Sequence, residues 1–173
     1  GEKDDEKSEL SVVALGLAKT AEILKQKFTF IPTNVPYKNK GGLTLAIQKY
    51  IEKYHSKAKS ALETAFMDRC IDMLDKCGSV ALVLPQNWLF LGSYKEFSRE
   101  LLESYEWNFL GWLGGGAFST PLDVFPVLVS ITNSGSTYNF PSLDVSKAET
   151  IEKKSQELIS CEINFLDPRE QLQ

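Results

Sequence analysis

The sequence has few residues of the kinds that bind metals or form disulfides. It holds one histidine, His55, and three cysteines, Cys70, Cys77 and Cys161, in 173 residues. Structural and catalytic metal sites draw mainly on these two residue types, and no CxxC pair occurs here, so we expect no metal site. An odd number of cysteines cannot all pair within one chain. We therefore expect reduced thiols, as is usual in the cytoplasm.

Long apolar runs are also missing. No stretch of about 18 apolar residues occurs, so no membrane-spanning helix is expected. The first ten residues, GEKDDEKSEL, are acidic and polar, unlike the basic and then apolar pattern of a secretory signal. We expect a cytoplasmic protein with no membrane partner, in which residues 1–9 form a disordered acidic tail.

An excess of basic charge is the third absence. The formal net charge is -4 and the isoelectric point is near 5.1, which argues against a free-standing nucleic-acid-binding protein. A local cluster of basic residues nevertheless occupies residues 38–59 and comprises Lys38, Lys40, Lys49, Lys53, Lys57 and Lys59. A solvated helix face with a loop and an edge that contacts phosphates explain this cluster equally well.

The chain does contain enough apolar residues, 43%, to fold as one compact domain. Apolar periodicity predicts helices over residues 10–27 and 43–54. Two more helices open at the capping boxes Ser60–Glu63 and Ser93–Glu96, and Gly78 stops the first of these. The residues predicted to face inward are Val13, Leu17, Ala21, Leu24, Leu43, Ile47, Ile51, Leu62, Phe66, Cys70, Met73, Phe97, Leu101 and Leu102.

Four apolar runs predict strands, at residues 28–31, 79–85, 107–114 and 124–132. The tail is helical to about residue 156 and strand-like over residues 158–165. Pro126 would remove a ladder donor from a central strand, so the last run is predicted to be an edge or bulged strand. Strands that alternate with helices and end in a strand pair indicate an α/β sheet with an antiparallel end.

Residues for nucleophilic catalysis or phosphate binding are hard to find. His55 lies in the charged stretch KYHSKAK, which indicates a surface histidine, and Cys70 lies on the apolar stripe of its helix, which indicates the core. The glycines of LGGGAFSTP lead into Pro121 and a strand, whereas a Rossmann glycine loop opens a helix. We therefore predict a flexible turn between two strands.

The stretch Asn34-Val35-Pro36-Tyr37 directly follows an apolar strand, where open α/β sheets bind ligands. An asparagine oxygen and the next backbone carbonyl can converge on one amino group, and Pro36 removes a competing N–H. Tyr37 has no packing partner in the neighbouring sequence and offers a stacking face for a planar base. Such a site suits a flipped nucleobase with an exocyclic amine. The alternative is an ordinary strand-ending turn.

This stretch is similar to the Asn-Pro-Pro-Tyr signature of amino-methylating DNA methyltransferases. The surrounding segments, in order, are AEILKQKFTFIPTNVPY, YIEKYHSKAKSALETAFMDRC, GSVALVLPQNWLFLGSYKEFSRELL and WNFLGWLGGGAF. Together they resemble the adenine-specific methyltransferases of restriction-modification systems and of the related BREX/Pgl phage-defence systems. The resemblance extends from about Leu17 to about Thr132.

The resemblance implies a partial Rossmann-like S-adenosylmethionine-dependent methyltransferase fold, α/β with a mixed sheet and an antiparallel end. Residues 10–145 would form the C-terminal half of the catalytic domain. Residues 146–173 would form an extension towards a missing target-recognition region. The implied reaction moves a methyl group from S-adenosylmethionine to the exocyclic amine of a flipped adenine in double-stranded DNA.

The resemblance also implies roles for single residues. The Asn34 side chain and the Val35 carbonyl would accept the two N–H bonds of the amine, and Tyr37 would stack on the base. Phe118, in the loop between the last two strands, would supply a second aromatic wall. Phe66 would approach the adenine ring of the cofactor, although its helical spacing fits a core residue better.

Three departures from the family pattern limit these expectations. Val35 replaces the first proline of the motif, Ala61 replaces an aspartate before a leucine, and the upstream cofactor loop is absent. We therefore expect a fragment that binds S-adenosylmethionine poorly and does not methylate alone. The alternatives are a degenerate, non-catalytic subunit that docks to partners or DNA, and an unrelated α/β domain with a chance motif. An uncovered strand edge at residues 28–31 would favour self-association.

Overall fold

A computed structural model describes residues 2–118, 124–160 and 163–171. Its strands form one six-stranded mixed sheet in the order β1-β2-β4-β3-β5-β6. The strands are β1 (Phe28–Asn34), β2 (Leu74–Pro85), β3 (Glu106–Trp112), β4 (Pro126–Thr132), β5 (Phe140–Asp144) and β6 (Asn164–Leu166). The helices are α1 (Glu2–Lys25), α2 (Leu45–Tyr54), α3 (Leu62–Asp72), α4 (Lys95–Ser104), α5 (Ile151–Ser160) and α6 (Pro168–Gln171).

The sheet is parallel at one end and mixed beyond it. β1 and β2 run parallel, and α2 and α3 form the crossover that a parallel pair requires. β4 lies antiparallel between β2 and β3, β5 is parallel to β3, and β6 is antiparallel to β5. The predicted α/β fold with a mixed sheet is confirmed.

One face of the sheet, called here the closed face, is packed under helices. Alternate residues of β2 and β4 pair across it and are almost fully buried: Val80 with Ile131, Leu82 with Val129, and Leu84 with Val127. α3 and α4 cover these residues. Trp88, Phe97 and Leu101 belong to the same core and are 1–2% exposed. Burial of each such side chain contributes roughly 1.5–3 kcal/mol, so this face holds most of the core.

Aromatic rings extend this core across the sheet. The rings of Trp88 and Trp107 stack with centroids 6.0 Å apart, and Trp107 contacts Phe140 at 5.1 Å. The Trp107 indole N–H also donates to the Leu101 carbonyl at 3.0 Å. Phe140 is the first residue of β5, a strand that the sequence did not predict, so this contact joins β5 to the main core.

The opposite face, called here the open face, is only partly covered by the described residues. Its half-exposed and exposed residues line a shallow cavity of about 520 Å³, with Pro32, Asn34, Ala81, Val83, Phe109, Leu128 and Ser130 among them. α5 covers the β5 side alone, where Leu158 packs near Leu143 and Val145. There the buried Lys154 ammonium donates to the carbonyls of Leu113 (2.7 Å) and Val145 (3.2 Å).

The first helix differs from its prediction in two ways. It begins at Glu2, so residues 2–9 continue a helix instead of forming the predicted disordered tail, in keeping with the helix preference of Glu and Lys. Its predicted inward stripe is exposed, with Val13 at 58% and Leu17 at 67%. Near its C-terminal end, the Arg69 guanidinium donates a hydrogen bond to the Leu24 carbonyl at 2.8 Å.

Both predicted capping boxes are wrong. Ala61 occupies the position before α3 and has no polar side chain to cap it, and Tyr94 precedes α4 at the end of a short 3-10 turn. The hydroxyl of Thr44 instead caps α2, accepting the Ile47 N–H at 3.5 Å. Glu63 is not free for a capping box, since its carboxylate accepts a hydrogen bond from a distant backbone amide.

Gly78 does not end a helix, because α3 ends at Asp72 and Gly78 lies within β2. β1 and β2 pass very close here. A Cβ atom at Gly78 would lie 2.6 Å from the Phe28 carbonyl oxygen, which explains why glycine is required.

The prediction that β4 is an edge or bulged strand is also wrong. β4 is central, and Pro126 is its first residue, opposite Pro85 at the end of β2. A proline at a strand end removes no interior ladder donor, so the central position is tolerated. The edge strand at this end of the sheet is β1, which itself contains Pro32.

The C-terminal part folds onto the same sheet. The predicted tail helix is α5, which continues to Ser160, so the predicted strand over residues 158–165 is reduced to the three residues of β6. Cys161 lies outside the described residues. None of the helices described is long and apolar enough to cross a membrane.

Candidate functional site

The Asn34-Val35-Pro36-Tyr37 stretch lies at the carboxyl edge of the sheet. Asn34 is the last residue of β1 and pairs with Val83 of β2. Since parallel strands present their carboxyl ends at one edge, the residues that follow β2, Gln86 and Asn87, reach the same place. Strand pairing thus brings two loops together beside the motif.

Side-chain burial alternates through the motif. Asn34 is exposed on the open face, whereas Val35 is 5% exposed and packs into the core beneath the closed face. Pro36 is exposed again. Valine at the position of the first family proline is therefore a packing residue in this chain, and its side chain anchors the turn from below.

Tyr37 has partners inside the chain, contrary to the expectation from its sequence neighbours. Its ring packs partly against the core, and its hydroxyl lies 3.1 Å from Asn34 Oδ1 and 3.3 Å from the Val83 carbonyl. A hydroxyl has one proton, so these two acceptors share it. A tyrosine hydroxyl is protonated at neutral pH and can donate. Burial, and secondarily the charge of Glu63, raise the pKa of Tyr37 further.

A cavity of about 230 Å³ opens next to Tyr37. The residues lining it come from four separate parts of the chain and are Tyr37, Lys38, Asn39, Glu63, Pro85, Asn87, Val124 and Phe125. Sequence reasoning missed Glu63, Asn87 and Phe125. The polar pair Gln86-Asn87 directly after a buried strand could have indicated Asn87. Nothing local indicated Phe125, which pairing of β4 with β2 brings here.

Phe118 is not among the residues that line this cavity. It lies in the loop after β3, with 39% of its side chain exposed. This loop contains Gly114 and Gly116, both at positive φ, a conformation that glycine adopts readily in turns. A Cβ atom at Gly114 would also lie 2.6 Å from the Ser146 Cα. The role of Phe118 in base binding stays a prediction.

A second cavity, of about 410 Å³, lies behind Pro36 between α2 and α3. Apolar side chains dominate its lining, which comprises Pro36, Ile47, Tyr50, Ile51, His55, Leu62, Ala65, Phe66 and Arg69. Phe66 is 42% exposed and faces this cavity instead of the core. The shape and apolar walls suit a flat ring system.

The prediction of a surface position for His55 is wrong. Its side chain is 5% exposed, and its Nδ1 lies 2.7 Å from Asp68 Oδ2. Since a carboxylate only accepts, Nδ1 donates in this pair. Burial raises the pKa of Asp68, and the contact with His55 opposes that rise. The prediction that Cys70 belongs to the core is correct, as it is 9% exposed.

The lysine cluster is partly neutralised by neighbouring carboxylates. Lys40 pairs with Glu52 at 2.5 Å, and Lys57 pairs with Glu100 at 2.6 Å. The other four lysines are exposed to solvent. Phosphate contact by these four stays a prediction.

The six-stranded mixed α/β sheet, with the Asn-x-Pro-Tyr turn at its carboxyl edge, has the fold of type I methyltransferase subunits of known structure. The family model of the Eco57I restriction-modification methylases matches residues 2–111, well over half of the chain. The chain belongs to this family.

Known proteins share parts of this chain. The adenine-specific methyltransferase PglX of Lacticaseibacillus casei (strain Zhang) is 30% identical over 102 residues, which is 59% of this chain and 8% of PglX. The ATP-dependent type ISP restriction-modification enzyme LlaBIII, solved bound to DNA, matches with a TM-score of 0.67 and 13% identity over 89% of this chain and 13% of that chain.

A third match is the type I methyltransferase subunit from Streptococcus thermophilus. Its TM-score is 0.57 and its identity 21%, over 84% of this chain and 36% of the subunit. At such identities the two solved structures show a common fold. The chain spans 8–36% of the length of these three proteins.

Proposed function

We propose that this chain is part of the catalytic domain of a DNA adenine methyltransferase from a restriction-modification or phage-defence system. The observation that carries the proposal is the position of Asn34 at the carboxyl end of β1, 3.1 Å from the Tyr37 hydroxyl. The family assignment and the adenine-specific PglX relative support it. Double-stranded DNA is the proposed partner, in line with the DNA-bound LlaBIII structure.

In the proposed reaction, Asn34 and Val35 hold the exocyclic amine of an adenine turned out of the duplex. Asn34 Oδ1 has two lone pairs, of which the Tyr37 hydroxyl engages one, so the second can accept an N–H of the amine. The Val35 carbonyl accepts the other N–H. These bonds steer the nitrogen towards tetrahedral geometry and aim its lone pair at the methyl donor, so catalysis consists mainly of positioning and electrostatics.

Tyr37 has two proposed roles, one for its ring and one for its hydroxyl. The ring lines the 230 Å³ cavity and stacks on the extruded base. The hydroxyl orients the amide of Asn34 by donating to Oδ1, so that the amide oxygen faces the substrate amine. Phe118 is proposed as a second aromatic wall, from the loop that follows β3.

S-adenosylmethionine, when bound, supplies the electrophilic methyl group. The apolar cavity of about 410 Å³ behind Pro36 fits the flat adenine ring of such a cofactor, with Phe66 as one wall. The lining has no acidic side chain for the ribose, and the sequence lacks the glycine loop expected for the rest of the cofactor. We therefore propose that residues outside this chain complete the cofactor site.

The small share of its relatives that the chain spans supports the same conclusion. Residues 10–145 are proposed to form the C-terminal half of the catalytic domain, and residues 146–173 an extension towards a target-recognition region. We expect the 173 residues alone to bind S-adenosylmethionine weakly and not to methylate DNA. The complete enzyme is proposed to act in the cytoplasm.

The test uses the complete enzyme that carries these residues. Asn34→Ala should lower the methylation rate by about 10²-fold or more, because it removes the acceptor aimed at the reacting amine. Tyr37→Phe, which keeps the ring, should lower the methylation rate less than Tyr37→Ala. Asn164→Ala, at an exposed position of β6, serves as the control. Methylation by Asn34→Ala at the rate of the control would refute the proposal.

Val35 distinguishes this function from a degenerate, non-catalytic subunit. If the complete protein methylates DNA with valine in place, the catalytic proposal holds. If it is inactive and Val35→Pro restores methylation, the natural protein is the degenerate docking subunit.

A further inference from the structure

A buried carboxylate lies directly beneath the proposed catalytic turn. Glu63, in the first turn of α3, is 7% exposed, and its Oε2 accepts the backbone N–H of Lys38 at 3.0 Å. Burying a carboxylate is costly unless donors satisfy it, so a carboxylate in this place requires an explanation. Its donor belongs to the residue that directly follows Tyr37.

This contact is one of several that join the same two segments. The Leu62 N–H donates to the Lys38 carbonyl at 2.9 Å, so Lys38 is held through both its backbone groups. Asn39 and Ala61 form an isolated antiparallel bridge. The Lys40 N–H donates to the Ser60 carbonyl at 3.4 Å. Residues 38–40 are thus paired with residues 60–63, an arrangement called here the loop clamp.

The loop clamp and β1 hold the catalytic turn at both ends. Asn34 is fixed by the strand on one side, and Lys38 is fixed by Glu63 on the other. Between them, Val35 is anchored in the core. Tyr37 therefore has little freedom to move its hydroxyl away from Asn34 Oδ1.

Glu63 also lies close enough for its charge to raise the pKa of Tyr37, after the larger effect of burial, and that of Tyr94. A tyrosine hydroxyl is protonated at neutral pH without this effect, so the positioning requires the hydrogen bond to Lys38 and not the charge.

We propose that Glu63 is a positioning residue, which holds Lys38 and thereby keeps the Tyr37 hydroxyl on Asn34. The proposal rests on the proposed function, since it assigns Glu63 a part in that same site. Glu63 also lines the 230 Å³ cavity, and its proposed role is to act through Lys38 and Tyr37. A misplacement of about 1 Å can cost roughly 10²-fold in rate, so a clamp of this kind is sufficient to affect catalysis.

Two substitutions separate the hydrogen bond from the charge and from packing. Glu63→Gln keeps an oxygen that accepts the Lys38 N–H, and Glu63→Leu keeps most of the volume but has no acceptor. Glu100→Gln, at a partly exposed position of α4 and paired with Lys57, is the matched control. In the complete enzyme we expect Glu63→Leu to lower kcat by about 10-fold or more with little change in the KM for DNA. Glu63→Gln should retain most of the activity.

Amide hydrogen exchange supplies a readout that does not depend on catalysis. In the 173-residue chain, the Lys38 amide should exchange at least about 10-fold faster in Glu63→Leu than in Glu63→Gln, while the Leu82 amide in central β2 is unchanged. Equal exchange of the Lys38 amide in both variants would overturn the clamp. Faster exchange without a loss of kcat would overturn its role in catalysis.

The two proposals can fail separately. If Asn34→Ala leaves methylation intact, the proposed function is wrong, whatever happens at Lys38. If Asn34→Ala abolishes methylation but Glu63→Leu behaves like Glu100→Gln, the positioning role is wrong. If Glu63→Leu does not fold, Glu63→Gln decides, because loss of Lys38 protection in that variant contradicts the clamp.

Discussion

The two faces of the sheet differ in how much of their packing the described residues provide. On the closed face, α3 and α4 bury Leu82 to 2% and Val80 and Leu84 to 0% exposure. On the open face, the neighbouring residues Ala81 and Val83 stay half-exposed beside a cavity of about 520 Å³. The same strands therefore carry a finished core on one side and an apolar surface on the other.

The Asn34-Val35-Pro36-Tyr37 stretch, which is the proposed catalytic motif, lies at the border between these faces. Asn34 belongs to the open face and Val35 to the core beneath the closed face. The turn is therefore fixed from below by a packed core, while the Asn34 amide faces the uncovered side. This arrangement fits a segment that provides the rigid base of a site and that matches only 8–36% of the length of its relatives.

The largest expected effect on stability comes from replacing a leucine by alanine on each face in turn. Leu82→Ala on the closed face should lower the free energy of unfolding by about 2–5 kcal/mol, because it leaves a cavity in a packed core. Leu128→Ala on the half-exposed open face should cost clearly less. Urea unfolding followed by tryptophan fluorescence measures both. Equal losses would mean that the open face is as well packed as the closed one.

The sequence predicted what depends on neighbouring residues and missed what depends on distant ones. The strand before Asn34 and the turn after it follow from a local apolar run and a proline. The burial of His55 depends on Asp68 in another helix. Phe125 reaches the site because β4 pairs with β2, about 40 positions away along the chain.

Other misses have similar causes. β5 is five residues long and contains Pro141, so no periodic signal identifies it, and its pairing with β3 stabilises it. The exposed stripe of α1 has the expected helical spacing, but its burial depends on a surface that the described residues do not supply. Periodicity predicts which side of a helix is apolar and cannot tell whether a partner is present.

A second test compares two glycines and should give a smaller effect. At Gly78 a Cβ atom would meet the Phe28 backbone at 2.6 Å, so Gly78→Ala should destabilise by about 1–3 kcal/mol. At Gly111 the nearest atom, at 2.9 Å, is the edge of the Phe109 ring on the open face. That ring can turn away, so Gly111→Ala should cost less. Gly92→Ala, which meets nothing within 4 Å, is the control.

A third test concerns the pKa of Asp68, a partly buried carboxyl group on α3. Burial raises the pKa of Asp68 above its ordinary value of 3.8 despite the opposing contact with His55. As pH rises from below 3.8, the unfolded chain ionises first, so this carboxyl progressively lowers the stability until the folded carboxyl has ionised too. The stability of the wild type relative to Asp68→Asn should therefore fall across that acid window.

Urea unfolding at several pH values between about 3 and 7 measures this third effect, with the exposed Asp75→Asn as the baseline. A relative stability of wild type and Asp68→Asn that does not change with pH, or that rises through the window, would contradict the assigned direction of the pKa.

The smallest effect on stability, and the most direct test of the uncovered side, concerns the edge strand. Phe30 of β1 is 58% exposed at the end of the sheet, next to backbone groups that can pair with another chain. Phe30→Lys should change the free energy of unfolding by less than about 0.5 kcal/mol. It should nevertheless reduce self-association, because a charge on an edge strand opposes strand pairing between copies.

Light scattering over a range of concentrations distinguishes self-association through β1 from non-specific hydrophobic association. Phe90 is 66% exposed but lies in the loop after β2, away from the sheet edge, so Phe90→Lys is the matched control. If β1 is the surface that other copies join, Phe30→Lys lowers the apparent mass and Phe90→Lys does not. Two results would contradict this: a wild-type chain that stays monomeric at every concentration, or two variants with the same effect. Either would mean that the edge strand, which contains Pro32, does not pair with other copies.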